Sequence, residues 1–563
     1  MRSAVQRVAA MLAAWAMLAP GMARARDPEQ VARIPLGPMG YQTLLPEYLL
    51  AGNSMLTVHF VDQDHLLITF GLRQLMTRLA GDPPDDDDRM VGADLVELPS
   101  GKVLAQTQWR LHDRGQYLWS LGHGRFLLRV RDQLTVLEPM QNVGKGDAFR
   151  ELPLLHIDRK LVALQVSADE DLLTVETTAR TPAGEPGVAS NVTVVDPARP
   201  APAPVQMNFY RLTSTGAGAK GLAVAPAGAI GANTVVDLPM TTAGILDVIE
   251  GGKDRWLFNF DEHAGKVDEL AEWDTSCFPQ PTFVGHGEFV AFGCRGSEEK
   301  QSLAGFNMKG EQMWQQNFLD TQTAPTFSFA PAAGRFALGR IVVIAAVDAD
   351  EVLPESLVRS QEVRVMQSYN GKLLFRIDCT PVERAGQNFA LSDDGMRLAV
   401  VRETMVHHAA TKDYDQYTER EAAVEVYALP PLTEQDKAAV KQAEALAPQD
   451  TGARIDLSLE RVSTPTARDA ASGADAGSGK IAASSAITAG ASSAAGADSS
   501  AQSAAAVKEP GAAAVEQATP IQAGAVVLGD PVPESGRKRP TLYGPDEHHA
   551  GGQEETPAGN SSK

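Results

Sequence analysis

The sequence predicts an all-β chain: a single β-propeller of about seven four-stranded blades spanning residues 51–432. Three observations predict it. A turn-then-apolar phrase recurs near residues 62, 122, 169, 251, 286, 333 and 394. Strand–Gly turn–strand phrases follow several copies, around Gly101, Gly265, Gly310 and Gly371. No alternating helical pattern intervenes, so each unit of roughly 40–60 residues supplies up to four short antiparallel strands. One such blade cannot bury both of its faces. A closed ring lets each blade cover the next and removes the long free edges that invite aggregation.

Taken in order, residues 1–25 read as a signal peptide. Arg2 and Arg7 form a basic start, an apolar run extends from Val8 to Leu18, and Ala23-Arg24-Ala25 is a small-x-small cleavage site. The run is short for a bilayer span, so a periplasmic or secreted chain with no membrane span after leader removal is expected. Residues 26–50, rich in Pro and Leu, read as an extended segment packed against the body. Strands begin at Leu56-Thr57-Val58-His59-Phe60 and Leu66-Leu67-Ile68-Thr69-Phe70, split by Asp62-Gln63-Asp64. The four aspartates 85–88 read as a solvated hairpin tip, because a calcium loop spaces its oxygen ligands so that they converge. The Pro- and Gly-rich stretches within 180–250 read as insertions in the third and fourth blades. The last blade runs from Asn388 to Leu429 and stops at Pro430-Pro431. Thr433 then caps a short helix over 433–447. Residues 448–563, dominated by Ala, Ser and Gly, read as a low-complexity, disordered tail.

Charge and chemistry narrow the function. A net charge of −21 and pI near 5.0 disfavour nucleic acid and anionic membrane surfaces. In an oxidising compartment the three cysteines suit one disulfide and one thiol. Spacing leaves connectivity open, and Cys277 with Cys294, flanking one predicted strand pair, is the preferred pairing. Gly216-Ala217-Gly218-Ala219-Lys220-Gly221 matches a dinucleotide fingerprint but lies in a Gly/Ala/Pro loop, with no βαβ context. Gly477-Ser478-Gly479-Lys480 lacks the first Gly of a phosphate loop, and no G-x-S-x-G elbow occurs. His407, His408, Asp413 and Asp415 are weak metal candidates: adjacent histidines diverge on a strand, and no calcium-loop glycine follows. His112, His263 and His286 read as isolated turn histidines. The tryptophans at 109, 119, 256, 273 and 314 are expected to pack between blades. In the tail, Arg537-Lys538-Arg539 with Leu542 and Tyr543 is a possible docking peptide.

Ser302-Leu303-Ala304-Gly305-Phe306-Asn307-Met308-Lys309-Gly310-Glu311-Gln312-Met313-Trp314 resembles the blade motif of quinoprotein-like (YVTN-like) exported bacterial propellers, with an aromatic four residues after the Gly turn. Tyr369-Asn370-Gly371-Lys372-Leu373-Leu374-Phe375 matches with Phe in the aromatic place, and the phrase at 96–104 matches through its turn alone. The resemblance implies a fold. Enzymatic members hold a quinone and a metal with a dense Trp, Glu, Asn and Asp set, which does not map onto this chain, so no cofactor and no catalytic residue are assigned. The expectation is a monomeric, exported, non-enzymatic scaffold that binds protein or peptide partners through its top-face loops. Two alternatives stay open: a periplasmic enzyme with a channel-centred site, quinone-dependent or glycan-acting, and a carbohydrate- or ligand-binding module.

Overall fold

The computed structural model describes residues 29–455, apart from 44–54, 73–87, 112–115, 132, 139–147, 180–204, 215–221, 233–237, 264–265, 296–299, 324, 346–352, 380–387 and 411–415. The signal peptide, both glycine motifs, Asp413, Asp415 and the tail residues Arg539, Leu542 and Tyr543 lie outside the described residues.

Seven antiparallel sheets follow one another along the chain. Blade one holds β2 (Thr57–Phe60), β3 (His65–Leu72), β4 (Arg89–Glu97) and β5 (Val103–Leu111). Blade two holds β6 (Leu118–Ser120), β7 (Phe126–Val130), β8 (Gln133–Leu137) and β9 (Glu151–His156). Blade three holds β10 (Lys160–Val166), β11 (Leu172–Thr178), β12 (Val205–Ser214) and β13 (Leu222–Ala232). Blade four has three strands among the described residues: β14 (Gly244–Gly252), β15 (Arg255–Glu262) and β16 (Val267–Asp274). A single bridge, Met240 to Ile245, stands where its first strand would be. Blade five holds β17 (Gln280–Gly285), β18 (Glu288–Arg295), β19 (Lys300–Asn307) and β20 (Gln312–Asn317). Blade six holds β21 (Thr326–Ala330), β22 (Arg335–Val343), β23 (Val358–Gln367) and β24 (Leu373–Asp378). Blade seven holds β25 (Phe389–Leu391), β26 (Arg397–His408) and β27 (Tyr417–Ala428).

The fourth strand of blade seven comes from the other end of the chain. β1 (Gln30–Pro35) pairs antiparallel with β27, from Gln30 opposite Tyr427 to Pro35 opposite Ala423. Within the segment 26–50, then, Gln30–Pro35 is an integral strand of the ring, which therefore starts ahead of residue 51. Seven apolar clusters complete the closure, one at each junction between neighbouring blades. At the last junction, Val58, Phe60 and Ile68 of blade one pack against Val401 and Val424 of blade seven and Ile34 of β1. That packing is the radial burial on which a propeller depends.

The recurrent phrase owes its shape to local hydrogen bonding. At Ser392-Asp393-Asp394-Gly395, the Gly395 amide donates to the Ser392 carbonyl (2.7 Å), and Gly395 adopts φ +64°. The Ser392 hydroxyl accepts from the Arg397 amide at 2.9 Å, while Asp394 Oδ1 accepts from the Met396 amide at 3.0 Å. Short oxygen side chains thus satisfy turn amides that no ladder reaches. Six of the seven predicted phrases are turns between the first two strands of a blade. The one near 251 is a different turn: it joins β14 to β15, and the first turn of blade four is Thr241-Thr242-Ala243. Gly371 shows why the aromatic and glycine phrases travel together. It has φ +64°, and an added Cβ would stand 2.5 Å from the Trp314 indole of the preceding blade.

Candidate functional site

A meandering blade puts its first-to-second and third-to-fourth strand turns at one end of the ring, here the lower end. Its second-to-third connections and the links between blades lie at the other, upper end. The two ends differ in what they offer a ligand.

At the lower end, the first turns of the blades carry a linked set of polar groups. His286, between β17 and β18, sets Nε2 2.8 Å from Asp171 Oδ2 and Nδ1 3.5 Å from Asp169 Oδ2. Both aspartates belong to the turn between β10 and β11. Asp171 also accepts from the Ser167 hydroxyl (2.9 Å) and the Thr242 hydroxyl (3.3 Å). Burial opposes charge on the imidazole and on Asp171, but their mutual hydrogen bond prevails: His286 is held above its usual range and Asp171 below it. Burial, against the pull of His286, pushes Asp169 up to about 6. Glu170, at φ +59°, accepts from the Ser120 hydroxyl of blade two (2.7 Å). Burial, then the charge of Asp393 across the axis, pushes it up to about 7.

Each ring nitrogen of His286 faces a carboxylate, and Ser167 donates to Asp171, so among the described residues no hydroxyl is placed for activation by the imidazole. The cluster instead ties blades three, four and five together at the point where blade four lacks a full first strand. Sequence reading set His286 aside as isolated, because its partner is 115 residues away. His286 stands immediately before the turn glycine of blade five, as His123 does in blade two and Asp394 in blade seven.

The chain's own C-terminal segment crosses this end. Helix α1 (Glu434–Leu446) starts with a capping box, in which the Asp436 amide donates to Thr433 Oγ1 and the Thr433 amide to Asp436 Oδ2. Asp436 Oδ1 accepts from Gln367 (2.6 Å) and Tyr369 (2.9 Å) of blade six. Farther along, Gly287 must be glycine, since a Cβ would lie 2.0 Å from the Ala443 carbonyl oxygen. Asp450 receives Arg211 Nε and Nη2, both at 3.0 Å. The Ile455 amide then bonds Ala227, and the Ile455 side chain is fully buried between blades three and four. Residues 433–455 thus form a strap over blades six to three.

The upper end is furnished differently. Among the described residues, five of the seven exposed large apolar residues belong to it: Ile249, Leu319, Ile344, Met405 and Tyr417. Leu319 and Ile344 are the barest, at 84% and 67% exposure. The Val343 amide donates to the Thr321 carbonyl (3.0 Å), so both project from one edge of blade six. Beneath them lies a buried charge network. Glu362 accepts from Arg340 Nη1 (2.5 Å) and Arg364 Nε (2.7 Å) and pairs with Arg376 (2.5 Å). The Arg340 guanidinium lies 4.6 Å from the Phe318 ring centre.

His407 and His408 sit on this upper hairpin without converging. His407 Nδ1 is 2.7 Å from Thr418 Oγ1, and His408 stacks on Tyr417 with ring centres 4.5 Å apart. Among the described residues no three His, Cys, Asp or Glu side chains are arranged to hold a metal ion. Cys277 and Cys294 are disulfide-bonded, with Cα atoms 5.3 Å apart. Cys379 stands outside the disulfide, buried, with its thiol donating to the Val401 carbonyl at 3.4 Å. Trp109 and Trp273 meet Phe149 and Phe306 of the next blades. Among the described residues no helix is long and apolar enough to cross a membrane.

No protein-family model matches the chain, and no curated protein matches it. Several solved structures are similar at low identity. The Pyrococcus horikoshii acylaminoacyl peptidase (uncomplexed) aligns with 70% of this chain at 9% identity and TM-score 0.35. A Mycobacterium tuberculosis puromycin-hydrolyzing peptidase does so over 70% at 12% identity and TM-score 0.32. In both cases the chain spans about half, 55%, of the peptidase's own length. The Myceliophteria thermophila Cps50 (Swd1) β-propeller domain aligns over 67% of this chain and 97% of its own length, at 8% identity and TM-score 0.29.

Proposed function

We propose that this chain is an exported, non-enzymatic propeller that binds a protein or peptide partner at its upper end, on blades five to seven. One observation carries the reading. The exposed apolar side chains Leu319, Ile344, Met405 and Tyr417 gather at the upper end, while the lower end is crossed by the chain's own strap. Burying Leu319 and Ile344 against a partner contributes about 1.5–3 kcal/mol each. Arg359 and Asp320, 3.6 Å apart, supply a polar rim beside them. The basic start, apolar run and small-residue cleavage pattern of residues 1–25 support export, which places the partner in the periplasm or outside the cell.

The test is affinity capture from native periplasmic extract with the wild type and with a Leu319→Asp/Ile344→Asp double variant. A specific partner, reduced at least tenfold in the variant while the unfolding midpoint holds, is the expected result. Capture indifferent to those two residues, or a quinone chromophore in protein purified from its native compartment, would overturn the reading.

A further inference from the structure

A second feature of the upper end is a cleft between blades seven and one. It encloses about 440 Å³ and is lined by Met39, Gly40 and Gln42 of the link from β1, Phe70 and Leu72 of β3, Gly92 and Asp94 of β4, and Gln106, Thr107 and Gln108 of β5. Its size falls in the range of small-ligand sites. It opens because the junction changes character: Ile68 and Phe70 continue the apolar packing, while Gly92, Asp94, Gln106 and Gln108 put no apolar bulk on the outer strands.

At the base stands Asp94, 3% exposed, accepting one side-chain hydrogen bond, from Gln106 Nε2 at 2.6 Å. Burial lifts its carboxyl above the ordinary range, with Gln106 opposing. Among the described residues, none that lines the cleft is cationic. A buried carboxylate without a countercharge favours a ligand that brings one. The side-chain amide oxygens of Gln42 and Gln108 would accept further N–H donors, and Met39 and Leu72 would cover an aliphatic stem. These are the requirements of an arginine or lysine side chain.

We propose that this cleft binds a basic side chain of the chain's own tail, from the triplet Arg537-Lys538-Arg539. In a chain of net charge −21, that triplet is the one run of three adjacent cations. The described chain ends at Ile455 on blade three, and the intervening 81 residues, 456–536, can reach any point of the ring at up to about 3.5 Å per residue. A tethered ligand also binds at an effective concentration in the millimolar range, so a single charge-assisted contact of modest intrinsic affinity is enough to hold it. The inference is independent of the partner reading for Leu319 and Ile344, which lie on another sector.

Hydrogen exchange on the full chain tests it, comparing wild type, Asp94→Asn, Gln108→Arg and an Arg537→Ser/Lys538→Ser/Arg539→Ser variant. Residues 535–543 should be protected about tenfold or more in the wild type and lose that protection in all three variants. Gln108→Arg, on an outermost strand and on the same face as Asp94, keeps the test decisive where Asp94→Asn unfolds the protein. A labelled peptide of residues 533–546 should bind the triple-serine chain saturably and lose at least tenfold in affinity when Gln108→Arg is added. An unprotected tail in the wild type, or protection that survives Gln108→Arg, would sink the proposal. So would equal binding of an unrelated basic peptide with no tail protection, which would give the cleft to a partner in trans.

Discussion

The ring has two places where it could open, and they are held by different physics. At the junction of blades seven and one, closure is made by β1, which donates a full ladder to β27 and buries Ile34 and Leu36. In the sector of blades three to five, the first strand of blade four shrinks to one bridge. The gap there is spanned by side chains, His286 to Asp171 to Thr242, and by the strap ending at Ile455. Backbone pairing plus apolar burial is insensitive to pH and to single side chains. A polar staple is sensitive to both. The molecule thus has a durable seam and a tunable one.

The largest effect should come from breaking the durable seam. Deleting residues 30–35 leaves the long strand β27 as an open edge and uncovers Ala32, Ile34 and the surface under them. At about 1.5–3 kcal/mol per fully buried large apolar side chain, with six residues of ladder lost besides, the cost is ~5 kcal/mol or more. The expected outcome is loss of soluble monomer, or a urea midpoint at least halved. A variant that unfolds like the wild type would show that β1 is an accessory strand.

Removing the strap should cost less and act locally. A chain ending at Leu432 loses α1, the Asp436 bonds to Gln367 and Tyr369, the Arg211–Asp450 pair and buried Ile455. The exposed ion pair contributes little, so the burial of Ile455 and the helix contacts dominate, at about 3 kcal/mol together. Hydrogen exchange should quicken in β10–β24 and stay unchanged in β1, β27 and β2. Uniform loosening of all seven blades would erase the distinction between the seams.

How much of this could be read from the sequence follows the range of the interactions. Turns are local, so Ser392-Asp393-Asp394-Gly395 and Asn307-Met308-Lys309-Gly310 announced their blades through side chains that bond amides two to five residues away. Seven blades follow from such phrases. Blade four misled, because Leu238–Met240 is too short for a strand signal while Gly251 and Gly252 imitate a first turn. β1 hid for a different reason: Arg33 and Pro35 break its pattern, and its partners lie nearly the whole ring away, as with Arg33 and Glu421, 388 residues apart. The staple was invisible until closure brought two distant turns together. The upper-end anchors were unreadable as well, since exposure of Leu319 and Ile344 depends on how blade six ends.

The smallest effect is the most diagnostic, because it has a sign that depends on pH. Glu170 ionises near 4.5 in the unfolded chain, and burial with the charge of Asp393 pushes it up to about 7 in the fold; Asp169 moves likewise, to about 6. Between those values the folded chain holds protons that the unfolded chain releases, so stability falls as pH rises from about 4.5 through 7. His286, held above its usual range, acts in the same sense: its contribution is full below the unfolded value and fades as pH climbs through the folded one. Asp171 opposes them at the acid end, where its stabilisation is lost as pH drops through its depressed value. Glu170→Gln should therefore leave stability at pH 4.5 unchanged and raise it at pH 8, by on the order of 2 kcal/mol after allowance for partial exposure. Urea unfolding at the two pH values measures it. A gain of equal size at both would mean that Glu170 acts by packing rather than by charge, and the staple would then be as indifferent to protons as the β1 seam opposite it.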